Sequence, residues 1–360
     1  MKKFFFILAA AALAALASCT KVTPVDQPDQ EITFNVVKYV TKATDLDNGG
    51  HLILKGDFGV FAYSNSAAWS SSDATTENVY MDNVQITKQD DGSWKAATPY
   101  YWPKQNKLTF AAYAPYKSTA PVFAKATGFK FENYAVPTAA HEDLMVADVA
   151  ADKTTNEGPT HFTTGVPLLF HHLLTALQFK FQQAPYGEAY ANIVDEAQSS
   201  IVVKEVKLVK MVNSKTYDNS AWAANTAAGD ATFTVFSGNT TIAKVSANNP
   251  TQLGDSLMVI PQTLIAKPTD ATSTTAWQGL YIKYDIKTYY KSSSKVVTES
   301  DLETTVPFSG TLPEAESNAF NINKFIIYTI TINPYADEEI LFDPAVVDWT
   351  DVTGNAITIE

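Results

Sequence analysis

The sequence has few charged residues, and none of its basic side chains is an arginine. Charged residues make up 18% of the 360 positions, and all 26 Lys and Arg positions are lysines. The planar guanidinium fork that grips phosphates and guanine edges is therefore missing from the whole chain. A formal charge of −12 also repels polyanions. We therefore expect no nucleic acid among the partners.

Cysteine is almost absent as well. The single Cys19 excludes an intrachain disulfide and any cysteine cluster for a metal. The five histidines include the neighbours His171 and His172, which point to opposite faces of an extended strand and cannot easily share one ion. The sequence has no HExxH, GxSxG, Walker or dinucleotide glycine pattern. It therefore favours a protein that is not an enzyme and needs neither cofactor nor metal.

One apolar run, residues 4–17, follows Lys2 and Lys3 and is shorter than the roughly 20 residues that span a bilayer. This pattern predicts a signal peptide over residues 1–18. The run closes with Leu16-Ala17-Ser18-Cys19, which resembles the lipobox of bacterial lipoproteins. The resemblance implies that Cys19 receives a diacylglyceryl group and holds the precursor on the outer membrane. The alternative is a secretory signal whose cleavage region merely contains a cysteine.

The rest of the chain is rich in short strand-like segments. Ile32, Phe34 and Val36 alternate with polar residues, as a half-buried strand over residues 32–40 requires. The tripeptide Asp90-Asp91-Gly92 predicts a hairpin turn. No apolar helical period extends over fifteen residues. We therefore predict an all-β protein, with further strands at 58–63, 79–87, 108–113, 175–181, 202–210, 232–236, 257–260, 280–286 and 325–332.

Five short segments carry a more specific signal through their order along the chain. They are Tyr100-Tyr101-Trp102-Pro103, 108–115 (LTFAAYAP), 143–147 (DLMVA), 169–174 (LFHHLL) and 259–262 (VIPQ). Together they resemble the fimbrillin family, the type V pilins and related lipoproteins of Bacteroides-like bacteria. The resemblance implies two tandem transthyretin-like Greek-key β-sandwich domains. We place the domains at residues 43–165 and 166–360, after a lipidated propeptide over residues 19–42.

The resemblance also implies a function, that of a stalk or tip subunit of a cell-surface fimbria that supports adhesion. A maturation protease would cut between Lys42 and Ala43, and the strand containing Ile32, Phe34 and Val36 would be released. Another fimbrial subunit would then supply a replacement strand, since only a strand satisfies the edge left bare. Family pilins generally carry arginine where this chain has Lys42, so an arginine-only protease could not act here.

The apolar C-terminal tail is the expected donor strand, with Val352, Ile357 and Ile359 as its anchors. The alternative is that the tail completes the second sandwich of its own chain. The alternative function is a membrane-retained surface lipoprotein, either a pilus anchor or a carbohydrate-binding protein. A host or bacterial surface glycan would then be a partner, bound by exposed tyrosine or tryptophan rings.

Overall fold

In the described residues the regular elements are β-strands and three short 3-10 helices, which confirms the all-β prediction. A computed structural model describes residues 30–36, 56–138, 142–154, 165–270, 272–293, 295–334 and 340–348. Within these ranges the strands divide into a first unit, a second unit and a sheet that both units share.

The first half of the described chain contains eleven strands, and nine of them form one sheet. They are β1 (Phe34–Val36), β2 (Phe58–Asn65), β3 (Val79–Lys88), β4 (Trp94–Ala96), β5 (Lys107–Ala114), β6 (Val122–Ala124), β7 (Gly128–Ala135), β8 (Met145–Ala147), β9 (Ala150–Lys153), β10 (Val166–Leu168) and β11 (Phe170–His172).

The two end strands of the nine-stranded sheet are consecutive in the chain. Its order is β10-β1-β4-β3-β2-β5-β8-β11, with β9 paired to β5. Strands β10 and β11 are separated only by Leu169, yet they pair with opposite ends of the sheet. Strands of this sheet contribute alternate residues to one core, as the two-residue period of a strand requires.

The second half contains fourteen strands and the three 3-10 helices. The strands are β12 (Thr175–Gln183), β13 (Ser200–Met211), β14 (Ser214–Asp218), β15 (Ala221–Trp222), β16 (Ala231–Thr241), β17 (Ala243–Lys244), β18 (Thr251–Gln252), β19 (Leu257–Val259), β20 (Gln262–Thr263), β21 (Gly279–Tyr289), β22 (Val296–Pro307), β23 (Ala319–Phe320), β24 (Lys324–Ile332) and β25 (Leu341–Asp348), and the helices are Glu188–Tyr190, Val245–Ala247 and Glu314–Glu316.

The second unit is a sandwich of two main sheets. One sheet has the order β17-β12-β24-β25, with β18 and β19 also paired to β12, and the other has the order β16-β13-β21-β22. Strand β12 runs parallel to β24, and Phe179 stacks on Tyr328 at a ring separation of 5.7 Å. The alternating apolar residues of β13 and β21 lie in the same core.

A third sheet, called here the central sheet, joins the two halves in the order β15-β14-β7-β6. Strands β6 and β7 come from the first half, and β14 and β15 come from the second. Phe129 of β7 packs against Phe61 and Tyr113, which lie on the face of the first sheet that points away from its own core. The central sheet therefore covers an apolar face that would otherwise be exposed.

Most of the predicted strands are confirmed, usually with one to several more residues at the ends than predicted. The hairpin turn at residues 90–92 is also confirmed, since the Gln89 amide donates to the Ser93 carbonyl and Gly92 has φ +85°. The polar stretch from Ala151 to Gly165 predicts an interdomain or long surface loop. That prediction is wrong for its first residues, because Ala150–Lys153 form β9 and pair with β5. Residues 155–164 of that loop lie outside the described ranges.

The predicted domain boundaries remain predictions. Among the described strands, β10 pairs only with β1 and β11 pairs only with β8, both in the first sheet. On that pairing we propose that the boundary lies near Leu173, a few residues after the predicted 165.

Burial of Lys215 on β14 predicts that the free energy of unfolding depends on pH. Its buried ammonium donates to the Pro261 carbonyl at 2.8 Å and to Asn225 Oδ1 at 3.0 Å, and burial lowers the pKa of Lys215 to about 8. The unfolded chain binds this proton more tightly, so the free energy of unfolding should rise as pH increases from 8 towards 10. We expect Lys215→Met to remove about 1–3 kcal/mol of that rise. Urea unfolding of both proteins between pH 7 and 9.5 measures the difference, and equal pH slopes would contradict the prediction.

Candidate functional site

The candidate site is the position of β1 between β4 and β10 in the first sheet, called here the seat of β1. Phe34 pairs with Val166 of the parallel strand β10 and with Trp94 of the antiparallel strand β4. The backbone amide of Ile32 donates to the Tyr100 carbonyl at 2.7 Å, and the Val166 amide donates to the Thr33 carbonyl at 2.8 Å. Both edges of the segment are therefore held by backbone hydrogen bonds.

Two side chains of this segment are inserted into the core. Ile32 and Phe34 are each only 2% exposed. The Phe34 ring lies edge-on to Phe110 at 5.5 Å and to Phe58 at 6.0 Å. Such edge-to-face pairs are favourable beyond the area they bury. The segment is thus a structural part of the first core.

Gly165 is fitted against the backbone of this segment. Its φ of +78° is a backbone conformation that residues with a side chain rarely adopt. A Cβ built there would lie 2.8 Å from the backbone N and C of Phe34. Because those contacts are to backbone, only glycine lets β10 approach this closely.

The predicted face of the first strand is confirmed in the described residues. Ile32 and Phe34 are buried, Val36 is half-buried, and Asn35 is exposed. Whether this strand is released remains a prediction. Residues 37–40 and the predicted cut at Lys42 and Ala43 lie outside the described ranges.

The lipidation site predicted at Cys19 also lies outside the described ranges. The first of the described residues is Gln30, whose carbonyl accepts from the Trp102 amide at 3.0 Å. Gln30 therefore lies beside the Tyr100-Tyr101-Trp102 motif.

The described part of the C-terminal region forms β25 on the edge of the second unit. It runs antiparallel to β24, from the pair Thr331 and Leu341 to the pair Lys324 and Asp348. Phe342 packs edge-on against Tyr328 at 5.7 Å. Among the described strands β25 pairs only with β24, so none of them lies along its other backbone edge.

The predicted donor residues Val352, Ile357 and Ile359 lie outside the described ranges. Residues 341–348, which precede them, complete a sheet of their own chain. The donor role of the last residues therefore remains a prediction.

Each histidine of the pair lies beside an aspartate. His172 is buried, and its Nδ1 lies 2.6 Å from Asp143 Oδ2, whereas the more exposed His171 has Nε2 3.0 Å from Asp148 Oδ1. The described residues contain no group of three or more His, Cys, Asp or Glu placed to hold a metal ion. None of the helices in those residues has the length and apolar character needed to cross a bilayer.

Few aromatic side chains of the described residues are exposed. Trp69 stacks on Tyr63 at 5.9 Å, and Trp102 lies edge-on to Phe110 at 5.8 Å. Trp94 is buried, whereas Tyr101 is 43% exposed. Most tryptophan rings in the described residues are thus engaged in packing.

A comparison with family models identifies one match. The fimbrillin-like family matches residues 41–349 of this chain. The match therefore covers both units of the structure and begins after the first strand.

Comparisons with individual proteins give three further similarities. Fimbrium subunit Fim1C of Phocaeicola vulgatus is 32% identical over 122 residues, which is 32% of this chain and 32% of that protein. A crystal structure of a fimbrial protein from Bacteroides vulgatus is similar, with a TM-score of 0.58 at 21% identity. The alignment covers 89% of this chain and 100% of that one. A putative cell adhesion protein from Bacteroides uniformis aligns over 91% of this chain with a TM-score of 0.46 and 16% identity.

Proposed function

The chain belongs to the fimbrillin-like family, and from that membership we propose that it is a non-enzymatic structural subunit of a cell-surface fimbria. In this proposal the precursor is exported as an outer-membrane lipoprotein through Cys19. A maturation protease that accepts lysine cuts after Lys42, and the first strand is released. The subunit then assembles with other fimbrial subunits by strand exchange into an extracellular fibre.

The observation that carries this proposal is the way the first strand is seated. Its removal would leave the Tyr100 carbonyl and the Val166 amide without their partners. It would also open an apolar pocket lined by Phe58 and Phe110, which now holds the Phe34 ring. Unpaired strand edges beside an apolar groove bind another strand, because backbone hydrogen bonds supply affinity and alternate side chains supply specificity.

The C-terminal tail carries a sequence similar to that of the first strand. Ile357-Thr358-Ile359 repeats the apolar-polar-apolar order of Ile32-Thr33-Phe34. We propose that Ile357 of a second copy takes the place of Ile32 and that Ile359 takes the place of Phe34. Thr358 would then point away from the core, as Thr33 does by the two-residue period of a strand.

Removing the tail tests the assembly step. A chain that ends before Val352 should fold and should be cut after Lys42, but it should not polymerise, since no strand is left to fill the neighbour's groove. The measurement is the loss of the ladder of oligomers on a mild denaturing gel and of fibres in electron micrographs. A truncated protein that still forms the ladder contradicts the proposal.

Two point variants refine the same test. Ile357→Asp places a charge in the apolar pocket and should abolish the ladder, because a buried unpaired carboxylate is costly. Thr358→Asp is the matched control and should assemble almost normally, since its side chain faces away from the core. An equal effect of the two variants would refute the proposed register.

The firm seating of the first strand also favours a second candidate function. A segment with two buried side chains and hydrogen bonds on both edges can remain in place for the life of the protein. The chain would then be a retained lipoprotein, either a pilus anchor or a binder of a surface glycan. Mass spectrometry of protein extracted from cells separates the two: an acylated Cys19 at the N-terminus indicates retention, and a start at Ala43 indicates the pilin.

A further inference from the structure

The central sheet gives the two halves a second connection besides the chain itself. Antiparallel strands β7 and β14 pair Ala135 with Ser214 and Tyr134 with Lys215. The Val136 amide donates to the Asn213 carbonyl at 2.8 Å, and the Asn133 amide donates to Thr216 Oγ1 at 3.1 Å. A flexible two-domain protein has few contacts across its linker. Here a strand ladder crosses the boundary between the halves.

Each of the two strands is fixed in its own half. On the first side, Tyr134 donates its hydroxyl hydrogen to Glu142 Oε1 at 2.8 Å, and Lys117 Nζ lies 2.5 Å from the same oxygen. On the second side, the buried ammonium of Lys215 binds the Pro261 carbonyl and Asn225 Oδ1. A force applied to one strand is therefore passed to the half in which that strand is anchored.

Aromatic side chains pack together where strands of the two halves meet in the central sheet. Trp222 of β15 lies 6.0 Å from Tyr134 and 5.3 Å from Tyr217, and its indole N–H donates to the Leu173 carbonyl at 2.6 Å. Leu173 lies on the chain segment that passes from β11 to β12. One side chain thus connects both strands of the ladder to the backbone link between the units.

We propose that the central sheet is a mechanical lock that holds the two units as one rigid body and carries tension across the subunit. Its rigidity is a property of the single chain. The transmission of tension rests on the proposed fibre function.

An engineered disulfide tests the lock in the ladder. Directly opposite residues of an antiparallel pair lie about 4.5–5.5 Å apart between Cα atoms, within the range a disulfide spans. The full chain with Cys19→Ser would carry Ala135→Cys and Ser214→Cys, both at exposed positions. We expect near-complete oxidation to an intramolecular disulfide, with unchanged circular dichroism. The matched control, Ala135→Cys with Asp218→Cys, should stay reduced because Asp218 lies further along the strand. Failure of the opposite pair to cross-link, or equal cross-linking of the control, overturns the proposal.

Distance distributions between spin labels test rigidity directly and need no fibre. Labels at Asp82→Cys and Glu299→Cys, both exposed in the wild type, report on the two units in the Cys19→Ser chain. We expect one narrow distribution, a broad one in Trp222→Ala, and a narrow one in Trp277→Ala, a half-buried tryptophan away from the lock. The disulfide between positions 135 and 214 should restore the narrow distribution to Trp222→Ala. A broad wild-type distribution, or no change in Trp222→Ala, overturns the lock, whereas a narrow one in a protein that never polymerises refutes only the fibre function.

Discussion

Replacing Phe34 with alanine is expected to lower the free energy of unfolding of the uncleaved precursor by about 3–5 kcal/mol, the range for buried phenylalanines. The ring is almost completely buried and lies edge-on to Phe58 and Phe110. Its loss leaves a cavity at the centre of the first core, which the surrounding strands fill only in part. Urea unfolding followed by tryptophan fluorescence measures the change.

The same substitution separates the two proposed functions. If the first strand is released, fibres of the Phe34→Ala protein should be as stable as wild-type fibres, because the altered residue is no longer present. If the strand is retained, the surface protein keeps the full destabilisation. Asn35→Ala is the control, since the exposed neighbouring side chain should change stability by less than about 0.5 kcal/mol. A precursor that tolerates Phe34→Ala as well as Asn35→Ala would contradict the described seat of the strand.

Replacing Gly165 with alanine should loosen the first strand from its seat. The new Cβ would lie 2.8 Å from the Phe34 backbone, so either β1 or β10 must move. The cost of φ +78° adds about 1–2 kcal/mol. We expect faster hydrogen exchange at the amides of Ile32 and Val166, and faster proteolysis within residues 30–42 of the precursor.

Gly128 provides the matched control for this experiment. It has φ +75°, nearly that of Gly165, but a Cβ built there meets nothing within 4 Å. Gly128→Ala therefore carries the backbone strain without the contact to β1. If the two variants expose residues 30–42 equally, steric contact at Gly165 does not hold the first strand.

Strand positions could be predicted well from sequence where the core decides them. Leu177, Phe179 and Phe181 alternate with less apolar residues, and such a pattern buries one face of a strand wherever it occurs. The same pattern identified Ile32 and Phe34. In each case the signal lies within the segment itself.

The missed strands depend on partners that are distant in sequence. Strand β14 reads Ser-Lys-Thr-Tyr-Asp and has no apolar alternation, but it is fixed by pairing with β7 from the other half. Strand β22 is an edge strand whose exposed residues include Glu299, Asp301 and Glu303. Charges on an edge oppose unwanted pairing, and they also remove the hydrophobic pattern that would reveal a strand.

The candidate site was predictable only in part for the same reason. Sequence showed that residues 32–36 form an amphipathic strand and that the tail contains a similar alternation. It could not show that Gly165 lies against that strand, since a glycine among turn residues has many uses. Nor does alternation within a segment indicate which groove it occupies, because backbone hydrogen bonds are the same for every sequence.

Strands β10 and β11 lie in one short segment, and this affects a subunit that has lost its first strand. The second part of that segment, β11, pairs with β8 and makes no ladder with β1, and the chain beyond it enters the junction with the second unit. On the proposed route, β10 borders the empty site and is thus held in place through β11. In the precursor its own first strand would fill the site. In the fibre a single strand from a second subunit would fill it.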